Sequence, residues 1–430
     1  MHILPVLALP ILLASLSGAY PASRDADSPD LTPPGPYAST DPDASLWHPD
    51  DKDVDPQPVR GGLGAPTLGP TNKPLELQNP DILAPPSTDT GDVPNLKWPM
   101  SLSHTRMTDG GWAREQTIRQ MPAATELAGV NMRLKAGAVR ELHWHTAAEW
   151  AYVLKGSLRI STVTPEGHVY LGDVSEGDLW YFPPGVPHSI QAKAIPEDGS
   201  EFLLVFDEGD FSEDDTFLLT NWMAHVPAEV LAKNFNMRDH PEAFDHIPAQ
   251  ELYIFPSVPP PENVEEDMVV PNDTELPYTF KLSEVEATAK PGGSVKVVDS
   301  RTFKVATAIS AAVVEVEVGG LRELHWHPTQ PEWTFYLEGE ARMTAFTSSA
   351  SNTFNFQGGD VGYVPPSFGH YIENTGNTTL KFLEIFKSDL FQDISLSQWL
   401  ALTPPALVKA HLGFTDEMIA HLDKVKQEVV

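Results

Sequence analysis

Arg140-Glu-Leu-His143-Trp-His145-Thr-Ala-Ala-Glu149 recurs 182 residues later as Arg322-Glu-Leu-His325-Trp-His327-Pro-Thr-Gln-Pro-Glu332. Side chains alternate along an extended strand, so His143 and His145 project to one face, as do His325 and His327. A third histidine follows in each copy, His188 and His370, both 43 residues after the second. A lone His-x-His says little. Two sets at matched spacing, each with a carboxylate (Glu149, Glu332) that returns on the next strand, point to two ligand clusters. The repeat runs beyond them: Gly137 and Gly319, Gly177 and Gly359, and Pro184 and Pro366 keep the same offset, with one residue inserted before Glu332 and compensated later. Self-similarity on this scale means one folding unit used twice.

Short apolar/polar alternating runs surround these phrases, at 149–154, 157–163, 178–182 and 202–206, and again at 313–318, 332–337, 341–346 and 379–386. Glycines punctuate them. The pattern predicts an all-β chain of two β-sandwich or jelly-roll barrel domains with peripheral helices. The expected divisions are a signal peptide (1–19), an acidic proline-rich arm or propeptide (20–94), a first domain (95–253), a linker (254–277) and a second domain with C-terminal helices (278–430). The arm region, 21–100, holds 17 of the 41 prolines and shows few segments with a folding period. Thr415, followed by Asp416 and Glu417, reads as a helix N-cap.

Residues 3–16 are almost continuously apolar, and Ser17 and Ala19 follow at the spacing of a cleavage site. This predicts secretion, with cleavage after Ala19. The run is short for a membrane span, and no later segment supplies one. Cysteine is absent, which removes thiolate chemistry and cysteine-held clusters. A formal charge of -32 argues against nucleic acid as partner. It does not exclude a small anion, because a metal and a buried arginine reverse the local potential. Asn272 and Asn377 head N-glycosylation triplets.

Three imidazoles and a carboxylate suit a borderline-to-hard divalent ion and leave positions open if it is octahedral. Iron, nickel, zinc and manganese all remain possible on ligand type. Zinc commonly takes fewer ligands and offers no redox step. Arg140 lies three residues before His143, an odd offset that puts it on the opposite strand face under simple alternation. The residues alone leave it balanced between a structural and a substrate-binding role. The passage Phe211-Ser-Glu-Asp-Asp-Thr216, taken alone, is a solvated acidic turn.

The phrases RELHWHTAAEW (140–150), GDLWYFPPGVPHSI (177–190), RELHWHPTQPEWTFYLEG (322–339) and GDVGYVPPSFGHYIEN (359–374) resemble the cupin family, specifically secreted fungal bicupin oxalate decarboxylases. The resemblance runs from about residue 95 to the carboxyl end. It implies conversion of oxalate to formate and carbon dioxide, with two Mn(II) ions per chain and dioxygen as co-reactant. The implied manganese ligands are His143, His145, Glu149 and His188, and His325, His327, Glu332 and His370. It implies that Arg140 binds and polarises oxalate, with Arg322 as its counterpart. Glu213 matches the catalytic acid of a flexible lid, although Asp214 and Asp215 depart from the pattern of bacterial relatives. Glu384 matches a buried second-site acid that pairs with Arg322, and Asp393 is the acid nearest to Glu213's place in the second copy. Trp144 and Trp326 are packing candidates, and the resemblance implies electron transfer through them if they stack between subunits; Trp180 either walls a pocket or packs a strand. The resemblance further implies a homo-oligomer, trimer or hexamer. An oxalate oxidase and a non-catalytic cupin are the competing readings.

Overall fold

The structure, a computed structural model, describes residues 45–430. The expected signal peptide and the first part of the arm lie outside the described residues. Each half of the body is a pair of facing antiparallel sheets. In the first half, a seven-stranded sheet faces a six-stranded one. The larger runs Thr279–Phe280, Leu179–Phe182, Glu149–Lys155, Ser200–Phe206, Ala128–Leu134, Gly111–Gln116, Thr105–Met107. The smaller runs Val169–Ser175, Ser157–Val163, His188–Ala192, Val139–Trp144, Phe217–Leu218, with Ile254–Phe255 also on Val139–Trp144. The second half repeats this with a seven- and a five-stranded sheet.

The expected barrels are corrected here. Among the described residues no sheet closes on itself; each strand order is an open path. Closure needs ladder hydrogen bonds from one sheet to the other. Here no ladder runs between the facing sheets, which are joined by chain connections such as Gly156 and by the side chains packed between them. Edges of the larger sheets are exchanged between halves: Lys97–Pro99 pairs with Asp360–Val364, and Thr279–Phe280 pairs with Leu179–Phe182. The two-part β-rich body with peripheral helices stands.

Three apolar cores follow from strand alternation. Val130, Trp180, Ile190, Phe202 and Leu204 fill the first sandwich. Val314, Tyr336, Ile372 and Phe382 fill the second. The third lies between the halves, where Trp150, Tyr181 and Leu203 meet Trp333, Tyr363 and Leu383. A large sheet covered on both faces needs apolar residues at every position. This explains the continuous run in Ser200–Phe206: Phe202, Leu204 and Phe206 face inward, while Leu203 and Val205 face the other half.

The described part of the arm packs on the second half. Its buried Asp81 sits among Arg60 at 2.5 Å, Arg342 at 2.8 Å and Asn355 at 2.7 Å. Short helices follow each smaller sheet, including Leu219–Ala224 and Leu396–Leu402. The Thr415 hydroxyl caps Asp416–Ala420 by accepting the Met418 N–H at 3.2 Å. No helix among the described residues is long and apolar enough to cross a membrane.

Contact between the halves is tight at Gly129. A Cβ added there would lie 2.2 Å from the Trp333 ring, whose Nε1–H donates to Gln116 at 2.7 Å. Gly129→Ala is expected to cost about 1–3 kcal/mol through overpacking, read as a lowered Tm.

Candidate metal centres and active site

Each ligand set draws on both sheets of its half. His143 and His188 sit directly opposite each other on neighbouring strands of the smaller sheet. Glu149 begins a strand of the larger sheet, and His145 lies just past the end of Val139–Trp144. His325, His370, Glu332 and His327 repeat this arrangement. In each set the four donor atoms lie within 4.8 Å of one another, and all eight residues are buried.

The histidine tautomers are set by the backbone. Nδ1 of His143, His145 and His188 lies 2.5, 2.7 and 2.8 Å from the carbonyls of Glu141, Ala147 and Val186. Nδ1 of His325, His327 and His370 lies 2.6, 2.8 and 3.0 Å from those of Glu323, Gln392 and Phe368. A carbonyl only accepts, so each Nδ1 carries the proton and each neutral ring turns a bare Nε2 lone pair inward. Burial pushes His143, His188 and His325 below the ordinary histidine value, towards that neutral form. Nε2 of His188 and of His325 has no hydrogen-bond partner among the described residues. Burial pushes Glu149 and Glu332 up, and only positive charge on the neighbouring rings, His188 first for Glu149 and His370 for Glu332, brings them below the carboxylate range; Glu332 raises His370 in turn, so with all rings neutral a bound cation would have to supply that charge. Converging lone pairs and a carboxylate repel one another unless a cation lies between them. The donor sets therefore fit a divalent metal in each half.

A second donor orients each carboxylate, and it differs between the halves. Trp180 Nε1–H donates to Glu149 Oε1 at 2.7 Å. In the second half Gly362 takes the tryptophan's place in the strand, and the Thr334 hydroxyl donates to Glu332 at 2.6 Å. From sequence Trp180 reads as a pocket wall or a packing residue, and its contact with Glu149 is not legible there.

Arg140 reaches the buried face through a β-bulge. His188 pairs with His143 and Ile190 pairs with Arg140, so three steps on one strand face two on the other. The extra residue reverses the alternation. Arg140 and His143 are both buried, while Leu142 between them is 50% exposed. The same shift separates Arg322 from His325.

Arg140 Nη2 lies 3.2 Å from Glu213, whose side chain is buried at the start of the short 3₁₀ turn Glu213–Asp215. The Tyr253 hydroxyl donates to the same Glu213 oxygen at 2.6 Å. Burial, then the Glu213 charge, push Tyr253 well above its ordinary value and keep it a neutral donor. Its ring lies 3.7 Å from the Arg106 guanidinium and 4.3 Å from that of Arg140. Glu141 positions it by accepting the backbone N–H groups of Leu252 and Tyr253 at 3.0 and 2.8 Å. Sequence reading missed Tyr253. It lies far from the ligand phrases, and its backbone equivalent in the second half is not a tyrosine. A cavity of about 230 Å³ reaches Glu213 and Tyr253 and is also lined by Arg106, Glu115 and Asp214.

The second half differs. Arg322 Nε lies 2.9 Å from Glu384 and its Nη2 lies 2.6 Å from Asp393, both carboxylates fully buried. Burial pushes Glu384 up, and Arg322 pulls it back. Asp393 is held down, burial being outweighed by Arg322. At the position of Glu384 the first half has Leu204. Trp144 and Trp326 face away from the ligands, against Trp222 at 5.4 Å and Trp399 at 5.6 Å between ring centres.

The cupin family profile matches residues 102–243 and 280–420. The chain is 50% identical over 378 residues to the oxalate decarboxylase OxdC of Bacillus subtilis, covering 87% of this chain and 97% of that protein. It is 44% identical over 383 residues to a probable oxalate decarboxylase of Arthroderma benhamiae, covering 87% and 93%. A solved structure of the B. subtilis oxalate decarboxylase, a protein with Mn(II) centres, superposes with a TM-score of 0.84, covering 87% of this chain and 99% of that one. The chain belongs to the cupin family and, within it, to the oxalate decarboxylases.

Proposed function

We propose that the chain converts oxalate to formate and carbon dioxide at the first metal centre, with manganese in both centres. The observation that carries this is the Arg140–Glu213–Tyr253 group beside His143, His145, Glu149 and His188. Oxalate has no proton on carbon and a strong C–C bond, so cleavage needs one-electron chemistry, which manganese with dioxygen supplies. Arg140 is the substrate-binding cation. Its Nε has no partner among the described residues, and a guanidinium engages a carboxylate through charge-assisted hydrogen bonds. Glu213 takes the proton of bound hydrogen oxalate and returns one to carbon as formate forms. Tyr253 holds Glu213 at that place, and the turn Glu213–Asp215 shields the centre from water. The reaction is redox-neutral, and the returned proton is what separates formate from an oxidised product.

At the second centre, Arg322 is already bound by Glu384 and Asp393. We assign that centre a supporting role, with Glu384 tuning Arg322. Assembly into a trimer or hexamer is part of the proposal. It is supported by the exposed apolar residues around the outward tryptophans: Trp222 is 60% and Trp399 55% exposed. Secretion, as in the fungal enzymes that the sequence resembles, rests on the apolar run 3–16 and the small residues after it.

Metal analysis of purified protein is expected to give two manganese ions per chain. Glu149→Ala and Glu332→Ala are each expected to retain one. Glu213→Gln is expected to lower the rate of formate production about 10²–10⁴-fold; a normal formate yield removes Glu213 from proton transfer. Tyr253→Phe is expected to lower it roughly 10–100-fold, the worth of a hydrogen bond to a charged group. Peroxide in place of formate from the wild type would make the chain an oxidase.

A further inference from the structure

Segment 426–430 occupies in the second half the place that 251–255 occupies in the first. Ile254 pairs with Arg140, and Val429 bridges to Arg322. The Glu141 N–H donates to the Tyr253 carbonyl at 3.0 Å, and the Glu323 N–H to the Glu428 carbonyl at 2.9 Å. Glu141 accepts the Tyr253 N–H at 2.8 Å, and Glu323 accepts the Glu428 N–H at 3.1 Å. Tyr253 and Glu428 even share a left-handed backbone, with φ of 58° and 59°. Glu213 and Asp393 correspond in turn, each on the arginine that precedes its ligand histidines.

On this shared frame the charges differ. Two residues before Tyr253 stands Glu251, whose partner is Arg106. Two residues before Glu428 stands Lys426, whose ammonium pairs with Asp393 directly. Glu213 is thus held by one cation and a neutral hydroxyl, on a cavity. Asp393 is held by two cations, and its side chain is fully buried. Glu384 and Asp393 take Nε and Nη2 of Arg322 and leave Nη1 without a partner among the described residues, so an anion that engages both Nη nitrogens has to displace Asp393 from Arg322 and from Lys426. Lys426 is itself fixed by the paired segment: Leu321 and Val430 exchange hydrogen bonds of 2.8 and 2.9 Å beside it. The Arg322–Asp393 pair is desolvated on both sides and so is far more costly to break than an exposed one, while Lys426 holds the far side of Asp393 with its own side chain 24% exposed.

We infer that Lys426 is a positioning residue that locks Asp393 onto Arg322 and so keeps oxalate off the second metal centre. The inference rests on the oxalate reading above. The two centres are then unequal because one lid acid is tethered and the other is not.

The test uses full-length, manganese-loaded protein with dioxygen excluded, so that oxalate binds without turnover. Calorimetry is expected to count one oxalate per wild-type chain and two for Lys426→Met. Asp393→Asn, which cuts the same tether from its other end, is expected to bind two. Lys426→Arg, which keeps the pair, is expected to bind one. Oxalate is expected to shift one set of Mn(II) electron paramagnetic resonance lines in the wild type and both sets in Lys426→Met. A purely structural lysine would not change this stoichiometry or let arginine restore it. One oxalate on both Lys426→Met and Asp393→Asn, or two on the wild type, overturns the latch and leaves the decarboxylase reading in place. No oxalate on the wild type takes down both.

Discussion

Three imidazole lone pairs and a carboxylate meet in a buried space between two sheets, twice in this chain, and a cation between them would offset their repulsion. Much of the nearby structure serves that convergence. Backbone carbonyls fix the tautomers from behind, and a tryptophan or threonine donor turns the carboxylate. Because the ligand candidates come from both sheets, a bound metal would pin facing sheets that no ladder joins. The open strand orders leave that task to side chains.

The two halves share this frame and part company around the arginine. In the first, the arginine has a single carboxylate partner, on a short turn, with a tyrosine hydroxyl as the other support. In the second, it lies between two buried carboxylates, one of them also claimed by a lysine. Both groups are balanced in charge, yet they respond differently to an incoming anion. In one, the acid lies on a cavity with one cation and a neutral hydroxyl as its side-chain partners. The other would expose unpaired buried charge on opening, a large cost in a low-dielectric interior. The same frame thus occurs twice, with different charges at equivalent positions around the arginine.

The halves are also bound into one body. Each lends an edge strand to the other's larger sheet, and an apolar core of Trp150, Tyr181, Trp333 and Tyr363 lies between them. The larger sheets are buried on both faces, which accounts for continuous apolar strands that simple alternation does not predict. The arm, expected to lack a packed core, contributes a buried aspartate that gathers two arginines on the second half.

Sequence alone determined the repeat, the eight ligand positions and the β-rich plan, because these depend on residue type and on periods of two along a strand. Alternation put His143 and His145 on one face without any knowledge of their neighbours. The same rule sent Arg140 the wrong way, since a bulge is a property of two strands in register and leaves no mark on one strand read by itself. Tyr253, Lys426 and the Trp180 contact were hidden for a related reason: each acts through residues distant in the chain. The closed barrels failed because closure depends on which edge strands find each other, and here one edge of each larger sheet is taken by a strand from the opposite half while no ladder joins the facing sheets. Only the tertiary structure decided those pairings, because hydrogen bonding between strands and the sharing of a buried charge are set by proximity in space.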